Sequence, residues 1–162
     1  MNTKNIGGIK MKSRGFEVVD SKHRKHSDVD IQLPVRSTLH SAGYDFFLPV
    51  DTVIKPKETV VVFSDVKSYM QPNEVLMMFV RSSIGIKRGI VLANGTGIID
   101  ADYYSNSSND GNIGLALFNQ SNEPVELKAG ERVAQGIFVP FLVADNGNTN
   151  NVRQGGTGST NN

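Results

Sequence analysis

The sequence predicts an all-β domain built from many short strands, and three observations lead there. Short β-prone runs recur from Phe16 to Val143, and several alternate with a period of two, as in Ile113, Leu115 and Leu117 against Gly114 and Ala116. No segment carries a long stripe of helical period. Prolines 34, 49, 56, 72, 124 and 140 fall mostly at the edges of the runs, where a missing N–H removes no ladder bond. Strands this short and closely spaced indicate a sandwich, jelly roll or barrel.

Residues 1–12 lack periodicity, contain Gly7-Gly8 and read as a loose leader. The folded domain is expected over 13–143. Its strands are expected at Phe16–Val19, Ile31–Leu33, Tyr44–Leu48, Thr59–Phe63, Val75–Val80, Ile90–Leu92, Ile113–Phe118, Val125–Leu127 and Val133–Val143. The basic run Lys22-His23-Arg24-Lys25-His26 reads as a solvated loop. One short helix is expected over Arg81–Lys87, capped by a serine and weakened by Gly85. The final stretch, 144–162, is polar and glycine-rich and too poor in apolar residues to fold alone, so it reads as a flexible arm.

Seventeen Lys and Arg nearly balance sixteen Asp and Glu. A net charge of +1 does not advertise a nucleic-acid surface. There is no cysteine, so thiolate catalysis, disulfides and Cys-based metal sites are excluded. No stretch approaches the roughly 20 apolar residues of a membrane span, and no apolar signal segment stands at the N-terminus. A cytoplasmic protein without membrane or nucleic-acid partners is expected.

The chemistry concentrates in a few polar segments. Arg81-Ser82-Ser83 follows an apolar strand and offers a guanidinium, two hydroxyls and their N–H groups, a plausible phosphate cradle. Asn94-Gly-Thr-Gly97 between apolar runs reads as a tight hairpin whose backbone can face the edge of a flat base. Asp100 follows Ile98-Ile99, which leaves its carboxylate partly desolvated or else paired; a general base and a turn cap both remain open. Tyr103 is suited to stacking on a ring or sugar, or to the core. Asp45 places a charge just before Phe46-Phe47-Leu48, and Gln135 places an amide in an apolar run. Arg153 to Thr160 joins a cation, glycines and hydroxyls in a mixture able to wrap phosphates. Together these describe a nucleotide hydrolase without choosing the nucleotide.

Taken in order, these segments resemble the five motifs of the homotrimeric dUTPases. They are Ala42-Gly43-Tyr44-Asp45; Arg81-Ser82-Ser83-x-Gly85; Asn94-x-x-Gly97-x-Ile99-Asp100-x-Asp102-Tyr103; Gly130-Glu131-Arg132-x-Ala134-Gln135; and Arg153-x-Gly155-Gly156-x-Gly158-Ser159-Thr160. The Arg14-Gly15-Phe16-Glu17 start and the Tyr104–Gly111 insert are similar to the branch of Gram-positive bacteria and their phages. The resemblance implies a jelly-roll-like, distorted β-barrel and a trimer with active sites at subunit interfaces. It implies hydrolysis of dUTP to dUMP and pyrophosphate by water attack on the α-phosphorus, with Asp100 activating the water. Mg2+ would bridge the triphosphate, with Asp45 holding its waters. Arg81, Ser82, Ser83 and Gln135 would hold phosphates. Asn94 and the backbone through Gly97 and Ile99 would meet uracil, and Tyr103 the deoxyribose. Arg153, Thr157 and Ser159 would arrive with the arm, Thr157 standing where the family usually carries an aromatic residue.

The related dCTP deaminases need a glutamate in the strand after the Ile-Asp segment, and Asn112–Phe118 has no carboxylate. A regulatory protein partner, bound through the insert at Ser105–Gly111, is the remaining non-catalytic reading.

Overall fold

The computed structural model describes residues 12–147, 149–153, 155 and 156. In chain order its strands are β1 (Gly15–Val18), β2 (Val35–Arg36), β3 (Tyr44–Phe47), β4 (Thr52–Ile54), β5 (Thr59–Phe63), β6 (Val66–Tyr69), β7 (Glu74–Val80), β8 (Ile90–Leu92), β9 (Gly97–Asp100), β10 (Gly114–Asn119), β11 (Val125–Leu127) and β12 (Arg132–Pro140). Among the described residues one α-helix, α1 (Ser82–Arg88), joins β7 to β8, and two 3-10 turns stand at Ser21–His23 and Ala101–Tyr103. The strands form four antiparallel sheets: β2-β3-β12-β7-β9, β5-β10-β8, β1-β6 and β4-β11. The all-β expectation holds. A closed barrel does not form among the described residues, because the short strands divide among separate sheets instead of one continuous ladder.

The core lies between these sheets. In β10 the alternation seen in the sequence sends Leu115 and Leu117 inward, with Ala116 and Phe118 only partly covered. β7 sits between β12 and β9 and turns Leu76 and Met78 into the core. Gly136 of β12 faces them closely, since a Cβ there would stand 2.8 Å from Leu76 Cδ1. Each such fully buried Leu or Met contributes about 1.5–3 kcal/mol. Phe16 ties β1 to the large sheet through ring contacts with Tyr44, Phe46 and Phe138 at 5.3–5.5 Å.

Several expectations need correction. Ile31–Leu33 is not a strand; pairing begins at Val35–Arg36, after Pro34. Thr52–Ile54 and Val66–Tyr69 are strands that the sequence reading missed; both are short, and Lys67 and Ser68 dilute the apolar pattern of the second. β12 stops at Pro140, which has no N–H to continue the ladder. The helix is preceded by Arg81 as its cap residue, with no side-chain capping bond, so no serine caps it; Gly89 ends it in the left-handed conformation (φ 66°). The Asn94–Gly97 segment is not a hairpin: β8 pairs with β10 and β9 pairs with β7, so the turn carries the chain from one sheet to another. Among the described residues no helix is long and apolar enough to cross a membrane.

Candidate active site

Two clusters of chemistry-bearing residues lie on the large sheet. The first gathers where β7 ends and α1 begins. Arg81 donates its backbone N–H to Val133 O (3.1 Å), which fixes the turn into the helix. Its Nε lies 3.1 Å from Asp45 Oδ1. The other carboxylate oxygen accepts from Ser37 Oγ (2.6 Å) and Arg132 Nη1 (3.3 Å). The Asp45 side chain is only 6 % exposed, so two guanidiniums and a hydroxyl compensate a charge otherwise costly to bury. Gln135 stands opposite Asp45 on the neighbouring strand. A Cβ at Gly43 would fall 2.3 Å from Gln135 Oε1, so the Gly43 position is small because the amide passes over it. Ser82 and Ser83 are exposed on the first turn of α1.

The second cluster gathers at the other end of β7, where β9 pairs with it: Val75 opposes Asp100 and Met78 opposes Gly97. A Cβ on Gly97 would lie 2.9 Å from Met78 Cβ, so glycine permits the close strand approach that starts β9. Ile99 is half-buried and anchors the strand; the Asp100 side chain that follows is 51 % exposed. Asp100 is nonetheless paired, with Arg153 Nη2 at 2.6 Å, while Arg153 Nε donates to Asp102 at 2.7 Å. The hydrogen bond that Arg153 donates to Asp102, opposed by burial and aided by the charges of Asp102 and Asp100, pushes the Arg153 guanidinium further up. The same guanidinium lies 5.7 Å from the ring centre of Tyr103.

Tyr103 is buried, and its hydroxyl is doubly engaged. It donates to Asn112 O (3.0 Å) and accepts from Asn109 Nδ2 (2.8 Å). The insert holds itself in shape around Asn106, whose Oδ1 accepts from the N–H groups of Ser108 and Asn109 and from Ser108 Oγ. Lys67 fastens its far side to Asp110 at 2.8 Å. Burial pushes the Asp110 carboxyl up, but hydrogen bonds from Lys67 and the Asp20 N–H outweigh it and hold it below the ordinary range.

The two clusters lie apart within the chain. Asp100 is paired near the start of β7 and Arg81 follows its end, a separation of roughly 17–20 Å at strand rise. Asn94 sits exposed on the inter-sheet turn. Sequence reasoning missed Arg132 and Ser37 as partners of Asp45. The pairing of Arg132 with Phe47, followed by a register shift before Ala134, brings that cation alongside, and this bulge has no signature in the sequence. Thr157 and Ser159, like residues 1–11, lie outside the described residues.

Among the described residues no group of three or more His, Asp or Glu side chains gathers to hold a metal. That suits Mg2+ only if a substrate supplies most ligands, which is its usual mode with phosphates. Asp45 fits a supporting role, since the oxygen that faces Arg81 retains a lone pair for a water proton.

A family model described as dUTPase matches residues 29–161. The deoxyuridine 5'-triphosphate nucleotidohydrolase of Lactococcus lactis subsp. lactis (strain IL1403) is 46% identical over 153 residues, which cover 93% of this chain and 99% of the relative. The crystal structure of a dUTPase from Streptococcus mutans superposes with a TM-score of 0.70 at 44% identity, over 81% of this chain and 98% of that one. A mutant dUTPase from phage phi11 of S. aureus, described as coordinating a structural Mg(II) ion, shares the fold with a TM-score of 0.65 at 20% identity, over 86% and 98% of the two chains.

Proposed function

The chain belongs to the dUTPase family, and from that premise we propose how its residues carry the reaction. The protein is a dUTP diphosphatase, which hydrolyses dUTP to dUMP and pyrophosphate. Asp100 accepts a proton from the water that attacks the α-phosphorus. The observation that carries this role is an exposed carboxylate at the end of an edge strand whose preceding residues anchor it against β7. A base so placed is fixed in position yet open to water. Arg81 and Gln135 hold phosphate oxygens, with Ser82 and Ser83 offering hydroxyl and N–H donors. Asp45 orients Arg81 and Arg132 and holds waters of the metal. Bound Mg2+ supplies neutralisation of the charge that builds on the departing pyrophosphate. Asn94 and the backbone of the turn to Gly97 and Ile99 pair with uracil, and Tyr103 lies under the deoxyribose. Arg153, Thr157 and Ser159 belong to the arm that covers the bound nucleotide.

The active unit is a homotrimer whose sites draw Asp100 and Arg81 from different subunits. Their separation along β7 supports this, because the two groups lie at opposite ends of that strand and not side by side within one chain. So does Leu142, which is 98% exposed in the single subunit beside exposed Phe141 and Val143. A panel of dUTP, dTTP, dCTP and UTP, with and without Mg2+, tests the assignment. Selective release of pyrophosphate from dUTP with Mg2+ is expected; equal turnover of the other nucleotides would overturn it.

A further inference from the structure

The insert is built around one tyrosine. Tyr103 is 6% exposed, and its hydroxyl donates to Asn112 O (3.0 Å) while accepting from Asn109 Nδ2 (2.8 Å). The orientation of the Asn109 amide is forced by its other bonds. Its Oδ1 accepts from Asn106 Nδ2 (2.7 Å) and from the Gly111 N–H (3.0 Å), so the NH2 group is the end that faces the tyrosine. An NH2 group only donates, so the hydroxyl accepts there and commits its own proton to Asn112 O. Asn106 Nδ2 also donates to Tyr103 O at 2.8 Å. The insert thus grips the residue at its backbone and at the far end of its ring. The chain closes tightly to do so: Gly111 has φ 83°, and a Cβ there would stand 2.8 Å from Tyr103 O. From outside, Asp110 is fastened to Lys67 and to the Asp20 N–H, each at 2.8 Å.

We propose that Asn109, held in turn by Asn106, is a positioning residue that fixes the depth of the Tyr103 ring and thereby sets selectivity for deoxyribose over ribose. The inference rests on the reading that places Tyr103 under the sugar. A ribose differs from a deoxyribose by one hydroxyl. A ring beneath the sugar rejects that hydroxyl only if it cannot sink or tilt to make room. Apolar packing alone permits small adjustments of a ring. A hydroxyl tied on two sides resists them, because either movement breaks a buried hydrogen bond. With its proton committed to Asn112 O, the hydroxyl has none to donate to the nucleotide, so the ring selects by space. The insert is therefore a brace for the floor of the sugar site, and Lys67 and Asp20 hold the brace against the rest of the domain.

The ratio of kcat/KM for dUTP to that for UTP reads the proposal in the full-length protein. Asn109→Ala should lower this ratio about three- to tenfold, the scale of one lost hydrogen bond, through a lower KM for UTP. Tyr103→Phe removes the hydroxyl but keeps the ring and the bonds within the insert, and should lower the ratio to the same extent. Both changes cut the same link, so the double variant should be no less selective than either single one. An unchanged ratio in either single variant, or losses that multiply in the double one, would overturn the proposal. Tyr103→Phe carries the test even if Asn109→Ala does not fold. Tyr103→Ala separates the premise from the inference, since it removes the floor and should cost most of the selectivity. A wild-type ratio in that variant would show that Tyr103 does not lie under the sugar, and the proposal would fall with that reading. Lost selectivity there with none lost in Asn109→Ala would overturn the positioning role alone. NMR without nucleotide reads the brace itself: exchange of the Tyr103 hydroxyl proton with solvent should be severalfold faster in Asn109→Ala, and an equal rate would overturn the anchoring.

Discussion

The two ends of β7 handle charge in opposite ways. At the Arg81 end, Asp45 is 6% exposed and its charge is balanced within the sheet by Arg81, Arg132 and Ser37. At the other end, Asp100 is 51% exposed and its partner, Arg153, comes from the C-terminal segment. A buried carboxylate with a partner on each oxygen holds a fixed shape and changes little on binding. An exposed carboxylate with one removable partner can exchange that partner. The first arrangement suits holding phosphates in register; the second suits a base that must meet water at the right moment.

The largest effect that sharpens this contrast is expected at Asp100. Asp100→Asn preserves size and hydrogen bonding but removes the proton acceptor, so turnover should fall about 10²–10⁴-fold. Binding of a non-hydrolysable analogue, measured by calorimetry, should persist. Near-normal turnover in a clean preparation would remove Asp100 from its role.

At the rigid end the expected effect is geometric. Gly43→Ala sets a methyl group where the Gln135 amide now passes, 2.3 Å away, so the amide must move. A displaced phosphate ligand should lower kcat/KM about ten- to hundredfold. Thermal stability should fall less than activity, since the amide end of a half-buried side chain has room to yield. If kcat/KM is unchanged, Gln135 is not a phosphate ligand in this place.

The smallest effect concerns the insert beside the exposed end. Asp110 in the folded protein titrates below its ordinary 3.8, held there by Lys67 and the Asp20 N–H against burial. Its contribution is therefore complete above that ordinary value and is lost as the pH falls through the lower folded value. The protection of amides 105–111 against exchange, taken relative to the intrinsic rate at each pH, should fall in acid below about pH 4, before that of the large sheet. Lys67→Ala should move this loosening to higher pH. An insert equally protected at pH 3 and pH 6 would contradict that linkage.

Much of this was legible in the sequence. The period-two alternation in β10 gave the strand and its buried face, and the apolar run before Arg81 gave β7 almost to the residue. Asp100 after two isoleucines was expected to be partly desolvated or paired; it is exposed and paired. What sequence could not supply was pairing between distant segments. Asn94–Gly97 has the local chemistry of a hairpin turn, but its flanking strands find better partners in β10 and β7, and tertiary pairing overrides the turn signal. The Asp45–Arg132 contact depends on a register shift in β12, and the Arg153 bridge joins residues 51 and 53 positions apart. For Tyr103 both stacking and the core were open; it is buried in the core, and its hydroxyl is claimed by Asn112 and by an insert residue whose partner no local pattern names.

The account's central claim is that base and phosphate cradle act together only across subunits. Mixing two inactive proteins tests it most directly. Asp100→Asn and Arg81→Ala subunits, unfolded together and refolded, should form hybrid trimers in which some sites combine an intact Asp100 from one subunit with an intact Arg81 from its neighbour. With random assortment about a quarter of the sites are restored, as expected for head-to-tail interfaces. Recovered dUTP hydrolysis near that fraction is the predicted result. No recovery from a well-mixed, trimeric sample would show that both groups act within one subunit, contradicting the claim.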